Sequence, residues 1–284
     1  MKKIFLSLLA LAAGFAQAQK LDNALLWKIS GNGLNKPSYL FGTIHITCDA
    51  TLDKSVLEAL DATSQLYLEI DMDDPALQVS MMSGMMMKGD TKMGALASEA
   101  DFKLVNDFLT KNIGISANMI DVFKPALVST LLIPNMLDCP MQSFEGELMK
   151  VSKAQKEEVY GLETVDEQMA VFDTIPYKEQ MDALVKTAKN NMSDDKAELR
   201  EMMAVYKTKN ITEMLAFMDK SDNKMYSKFN DVLLTNRNKN WIPKIEATAK
   251  KNPTFFGVGA AHLAGENGVI MLLRKKGYKV EAVK

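Results

Sequence analysis

The 284 residues contain two histidines, His45 and His262, and each stands three residues after a glycine, in Gly42-Thr43-Ile44-His45 and Gly259-Ala260-Ala261-His262. Imidazole is the common neutral-pH proton carrier and metal ligand. A histidine-poor chain that repeats one context near both ends therefore points to a shared site. Glycine at that offset lets a backbone turn sharply or approach a ligand closely. Two acids, Glu69 and Glu163, follow the short apolar runs Leu66-Tyr67-Leu68 and Val159-Tyr160-Gly161-Leu162. Two imidazoles with one or two carboxylates make a suitable ligand set for a divalent transition metal, leaving positions for water and substrate. A metal so held acidifies water and polarises a carbonyl, which amide or ester hydrolysis requires, and the second carboxylate is then a candidate general base. Taken singly, each residue also fits an ordinary role, as a hydrogen-bonded histidine, a helix cap or a solvated acid. The matched context of the histidines favours chemistry. Nucleophilic-serine and nucleotide chemistry have no foothold, because neither a Gly-x-Ser-x-Gly elbow nor a Gly-rich phosphate loop occurs.

These residues sit where the patterning ends strands. Residues 25–29 and 39–44 are apolar and β-prone and are separated by Ser30-Gly31-Asn32-Gly33 and Lys36-Pro37, which predicts a hairpin. Residues 52–60 have helical spacing and 66–71 read as a strand. Strand, helix, strand implies a parallel crossover, with His45 just beyond one strand and Glu69 at the end of its neighbour. Ligands in open α/β sheets gather beyond the carboxyl ends of strands. The C-terminal segment repeats the theme, with strands at 254–258 and 278–283, a turn at 259–262 and a helix at 268–276. Between the two ends the pattern is mostly helical, at 102–108, 126–137 and 181–218. A short strand at 158–163 leads into a helix at 165–172, with Thr164 as N-cap and Glu167 completing a capping box. The expected fold is α/β, a mixed central sheet built from the N- and C-terminal segments. A large helical middle, about residues 75–250, packs beside it as an insertion in a single domain spanning 19–284.

Lys2-Lys3, an apolar run over residues 4–15 and Ala16-Gln17-Ala18 have the order of a secretory signal peptide over 1–18, cleaved after Ala18. The run is short for a membrane span and no later stretch reaches spanning length. An exported protein, periplasmic or secreted, is expected. Cleavage removes Lys2 and Lys3 and leaves 32 basic against 36 acidic side chains, a balance that argues against a nucleic-acid partner. Cys48 and Cys139 suit one disulfide in an oxidising compartment. Two free buried thiols, or Cys48 as a thiolate ligand near His45, are the alternatives. Of 21 methionines, Met81, Met82, Met85, Met86, Met87 and Met93 crowd one region. An adaptable apolar helix face explains them better than a soft Cu(I) site, since no histidine accompanies them.

Leu26-Trp27-Lys28-Ile29-Ser30 leading to Tyr39-Leu40-Phe41-Gly42-Thr43-Ile44-His45, then Leu66-Tyr67-Leu68-Glu69, Gly161-Leu162-Glu163-Thr164, Arg237-Asn238 and Gly257-Val258-Gly259-Ala260-Ala261-His262-Leu263-Ala264-Gly265 resemble the TraB/GumN family. The match runs in order across nearly the whole mature chain. The resemblance implies relation to the TIKI-like metalloproteases and a fold similar to the erythromycin-esterase-like group. It makes His45, His262 and Glu69 the metal positions for Mn²⁺, Co²⁺ or Zn²⁺. Glu163 becomes a ligand or base, and Arg237 a clamp for a carbonyl oxygen or carboxylate. A metal-dependent hydrolase acting on peptide bonds is the leading expectation. The alternatives are a protein that binds a peptide or small ligand without turning it over, and a metal-free esterase-like hydrolase using histidine as base. The methionine-rich stretch matches no family motif.

Overall fold

Apolar residues buried along most of both segments account for the first hairpin. Strand β1 (Leu26–Ser30) and strand β2 (Ser38–Thr43) pair antiparallel, with Leu26 opposite Phe41. The turn between them is possible because Gly31, Asn32 and Gly33 all take positive φ, at 77°, 47° and 82°. The computed structural model describes residues 21–220 and 227–284, so the N-terminal signal pattern lies outside the described residues. Helix α1 (Lys54–Asp61) leads to β3 (Leu66–Leu68), and β4 (Val159–Gly161), β5 (Phe255–Gly259) and β6 (Lys279–Ala282) complete one sheet in the order β4-β3-β5-β2-β1-β6. The pairs β2·β5, β5·β3 and β3·β4 are parallel, and β1 is antiparallel to both its neighbours. The α/β fold with a mixed sheet drawn from both ends of the chain is thus as expected.

One placement differs. β3 is not the neighbour of β2, because β5 lies between them, with Thr43 opposite Gly259 on one side and Leu66 opposite Phe255 on the other. Phe255, Phe256 and Val258 are wholly buried, and a strand apolar on both faces belongs in the sheet's centre. Local order along the chain carries no record of that insertion. β3 also ends at Leu68 rather than running to residue 71, although the Glu163 N–H still donates to the Glu69 carbonyl beyond it.

The middle holds α2 (Leu77–Met85), α3 (Glu99–Ile113), α4 (Pro125–Thr130), α5 (Phe144–Gln155), α6 (Val165–Val171), α7 (Tyr177–Lys189), α8 (Ser193–Lys207) and α9 (Ile211–Lys220). A π-helical turn (Asp231–Thr235) runs into α10 (Asn236–Lys251), and α11 (Val269–Lys275) precedes β6. The segment 126–137, expected as one run, breaks into α4 and a 3₁₀ turn (Ile133–Met136), where Pro134 supplies no N–H to continue a helix. Thr164 and Glu167 form the expected capping box at α6.

Apolar packing falls into two clusters. One surrounds the sheet and includes Trp27, Phe255, Leu148 of α5 and Trp241 of α10. The other is purely helical, around Val105, Leu109, Met181 and Leu184. Cys48 and Cys139 form a disulfide with Cα atoms 5.6 Å apart, which sets aside both thiol alternatives. Among the methionines, Met93 is buried, while Met82 and Met86 on and just after α2 are exposed. Gly84 brings α2 against α6, since a Cβ there would stand 2.5 Å from Met169 Cγ.

Candidate active site

The carboxyl ends of β2, β3 and β5 and the segment after β4 carry His45, Glu69, His262 and Glu163 to one place. Glycine makes that convergence possible through close approach rather than through a turn, for neither Gly42 nor Gly259 has positive φ. A Cβ on Gly42 would stand 2.8 Å from Leu263 Cδ1 and 3.1 Å from the Ala260 Cα, so β2 and the 3₁₀ turn Ala260–His262 could not pack as they do. A Cβ on Gly259 would meet Glu69 Oε1 at 3.3 Å, His45 Nε2 at 3.5 Å and His262 Cδ2 at 3.6 Å, at the centre of the site itself.

Arg237 ties the acids together. Its Nε donates to both Glu163 oxygens at 3.0 and 3.2 Å, and Nη2 donates to Glu163 Oε1 at 2.5 Å and Glu69 Oε2 at 2.6 Å. Nη1 donates to the Leu233 carbonyl at 3.1 Å and to His262 Nε2 at 3.1 Å. Leu233 lies in the π-helical turn that leads into α10. Every N–H of Arg237 is engaged, so the group serves as a fixed cation among carboxylates. Trp241 Nε1 donates to Glu163 Oε2 at 3.0 Å, and Gln168 Nε2 to Glu163 Oε1 at 3.1 Å and Glu69 Oε2 at 3.2 Å. Arg237, Asn238 and Trp241 share one face of α10 by their helical spacing.

Both imidazoles are held at Nδ1. Asn238 uses its amide N–H groups on the carbonyls of His262 and Asn267, so its Oδ1 accepts from His262 Nδ1 at 2.6 Å. His45 Nδ1 donates to Glu145 Oε1 at 2.7 Å. The two Nε2 atoms then face one oxygen, Glu69 Oε1, at 3.8 Å from His45 and 3.7 Å from His262. The same oxygen accepts from the Gly259 N–H at 2.8 Å.

The electrostatics separate the histidines. Burial, with the Arg237 and His45 charges beside it, lowers the His262 imidazole to about 3 against the pull of Glu69, so it is neutral. His45 is different: its outer edge is open, with 58% of the side chain exposed, while its inner edge lies against carboxylates. Desolvation of that inner edge works against charge, but the Glu145 hydrogen bond and the Glu69 charge outweigh it and raise His45 to about 9. Burial likewise opposes charge on Glu69, yet Arg237, the charged His45 and the Gly259 amide hold its carboxyl well below the usual range.

All five expected residues therefore meet: His45, Glu69, Glu163, Arg237 and His262. Glu145, Thr43, Gln168, Asn238 and Trp241 join them without having been expected. Asn238 adjoins Arg237 and Thr43 lies within the first Gly-x-x-His, so their motifs held a signal. Glu145 held none, since an acid in the first turn of a helix is usually there for the helix dipole. Nitrogen and oxygen donors of the right types converge for a transition metal at His45 Nε2, His262 Nε2 and Glu69 Oε1. Among the described residues, however, no group of three or more His, Cys, Asp and Glu side chains is drawn together as a metal-holding set. Arg237 also shares the His262 Nε2 lone pair. No described helix is long and apolar enough to cross a membrane.

A family model for the TraB/PrgY/gumN family matches residues 25–282. Among curated proteins the chain is similar to metalloprotease TIKI2 of Danio rerio, 21% identical over 93% of this chain and 62% of that protein. Metalloprotease TIKI1 of Danio rerio is 22% identical over 91% and 63%. A metalloprotease TIKI homolog of Nematostella vectensis is 22% identical over 94% and 68%. The chain thus spans a little over three-fifths of the length of the first two relatives. No solved structure matches it.

Proposed function

The chain belongs to the TraB/PrgY/gumN family, and on that footing we propose that it is an exported, metal-dependent hydrolase that cleaves peptide bonds. The observation that carries the reading is the convergence of two Nδ1-anchored imidazoles, each with Nε2 toward Glu69 Oε1. Histidines that hold metals are typically fixed in this way through their other nitrogen. His45, His262 and Glu69 would hold the ion, and Mn²⁺, Co²⁺ or Zn²⁺ there would supply a Lewis acid and a more acidic water. The metalloprotease names of the relatives support the class of reaction.

The remaining roles follow from what each side chain already touches. Glu163 is saturated by Arg237, Trp241 and Gln168, so it anchors the guanidinium. Arg237 orients Glu69 through Oε2 and leaves Oε1 for the histidine side. His45, open at the mouth, is the group an incoming carbonyl meets first. Export rests on the N-terminal charged, apolar, small-residue order together with the Cys48–Cys139 disulfide, a bond that persists in oxidising compartments. The mildly acidic composition supports a partner other than nucleic acid.

Protein purified without a histidine tag and loaded with each ion should retain metal and cleave peptides. His45→Ala and His262→Ala should each lose both properties, and full metal content in the double variant would refute the assignment. A second reading draws on the Arg237–His262 bond, which occupies a lone pair the metal would need. In it, histidine acts as base without metal, and hydrolysis that survives chelation would select it.

A further inference from the structure

Glu145 is the one charged group of the cluster that no motif announced, and its placement is costly. It stands in the first turn of α5, where a carboxylate could serve the helix from the surface, yet it is 7% exposed. Burying a carboxylate requires compensation by hydrogen bonds. Glu145 Oε1 receives two, from Thr43 Oγ1 at 2.6 Å and from His45 Nδ1 at 2.7 Å. The second partner is itself largely solvent-exposed and has no need of a buried acceptor for its own stability. The arrangement makes sense if the orientation of His45 is what matters.

We infer that Glu145 is a positioning residue, holding His45 with its proton on Nδ1 so that Nε2 points at Glu69 Oε1. It does for the mouth histidine what Asn238 does for the buried one. An imidazole exposed at the surface would otherwise rotate and exchange the roles of its nitrogens. The two segments are also clamped together: Thr47 and Gln142 exchange backbone hydrogen bonds at 3.0 and 2.8 Å, Ala50 N–H donates to Gln142 Oε1 at 3.1 Å, and the disulfide joins residue 48 to residue 139. These ties fix the arm bearing His45 against the start of α5 independently of the site. Glu145 therefore meets His45 from a rigid base, as a supporting residue must.

The catalytic consequence rests on the hydrolase reading; the positioning itself does not. Two histidines give a simple imidazole spectrum, so ¹⁵N-histidine NMR reads each ring separately. Nδ1 of His45 should carry a proton in the wild type, whether the ring is neutral or charged, and that proton should be slow to exchange. Glu145→Ala should lose the protected signal, and Glu145→Gln, whose amide oxygen can still accept, should keep it. The His262 signal, anchored by Asn238, should persist in all three and reports that each variant is folded. Peptide cleavage should fall roughly ten- to a hundredfold in kcat for Glu145→Ala with little change in KM, and Glu145→Gln should restore most of it. A wild-type His45 protonated only on Nε2, or a Glu145→Ala protein that retains the Nδ1 signal, would overturn the inference. If the signals behave as stated while no peptide is cleaved by any variant, the positioning stands and the hydrolase reading falls.

Discussion

Breaking the Cys48–Cys139 bond should destabilise the protein strongly while leaving the site assembled below the new melting point. The two residues are separated by 91 positions, and closing a loop of that length in the unfolded chain costs about 4.6 kcal/mol in the chain-entropy treatment. For a chain of this size each kcal/mol moves the midpoint by roughly 2–4 °C, so the expected drop is roughly 9–18 °C. In the folded protein the clamp is redundant, because the Thr47–Gln142 pair and the Ala50–Gln142 bond remain after reduction. The assay compares thermal unfolding of the oxidised protein with that of a Cys48→Ser/Cys139→Ser variant. His45 NMR signals of both are recorded well below the lower midpoint. A midpoint shift under about 3 °C would refute the entropic argument, since it corresponds to no more than about 1.5 kcal/mol. A normal shift with loss of the His45 Nδ1 signal would show instead that the bond, not the hydrogen bonds, maintains the arm.

Three other outcomes follow from single contacts. Gly259→Ala, which needs no unusual φ, should fold but place its methyl 3.3 Å from Glu69 Oε1, with His45 Nε2 and His262 Cδ2 at 3.5 and 3.6 Å; the carboxylate oxygen must then give by a few tenths of an ångström, so hydrolysis and metal uptake should fall about tenfold, less than the roughly hundredfold that a 1 Å misplacement can cost, and unchanged activity would contradict the site. Lys124 is buried against Asp173 Oδ1 at 2.8 Å and the Met169 carbonyl at 3.0 Å, so Asp173→Ala should cost about 3–5 kcal/mol in denaturant unfolding, whereas Lys124→Met, which leaves Asp173 with Lys88 and Tyr177, should cost much less. Against the opposing effect of burial, Lys124, Tyr177 and Lys88 hold the Asp173 carboxyl below its ordinary 3.8; its contribution is complete above that value and is lost as pH falls through the folded one, so a variant lacking Asp173 should show a flatter acid limb in stability against pH. Arg237→Ala strands Glu69 and Glu163 without their cation and should cost about 3–5 kcal/mol at neutral pH, and an unchanged denaturation midpoint would contradict the buried ion pairs.

The residues of the site were legible because their motifs sit at strand ends, and Glu69, Glu163 and His262 do lie just past β3, β4 and β5. The roles of Gly42 and Gly259 were legible only as alternatives. Their negative φ and tight neighbours select close approach over a sharp turn. Sheet order was not legible: β5 inserts between β2 and β3 by burying Phe255 and Phe256 on both faces, a nonlocal preference that adjacent strands cannot encode. Glu145 was hidden for a related reason. Ser143 caps α5 and makes an acid two residues later look like an ordinary first-turn residue. It comes under His45 through a contact 100 residues apart in sequence, where the Thr47–Gln142 pairing and the disulfide hold the two segments together.

Two buried carboxylates around one guanidinium, with a third beneath His45, are a poor choice for stability, since well-packed apolar residues of similar volume are often neutral or better. Their persistence in one cluster fits a functional demand, and their wiring says which part of the cluster is free to act. Arg237 has no idle donor, and Glu163 already accepts from Arg237, Trp241 and Gln168. His262 is 4% exposed and shares its Nε2 with Arg237. What faces outward is the His45 edge, with Glu69 Oε1 behind it. A ligand must therefore enter at His45, and a cation reaching His262 Nε2 must first draw that nitrogen away from Arg237. On the proposed metal-dependent reading, metal uptake and the Arg237–His262 hydrogen bond would compete for the same nitrogen, and replacing Arg237 should alter metal affinity even though the guanidinium is no ligand.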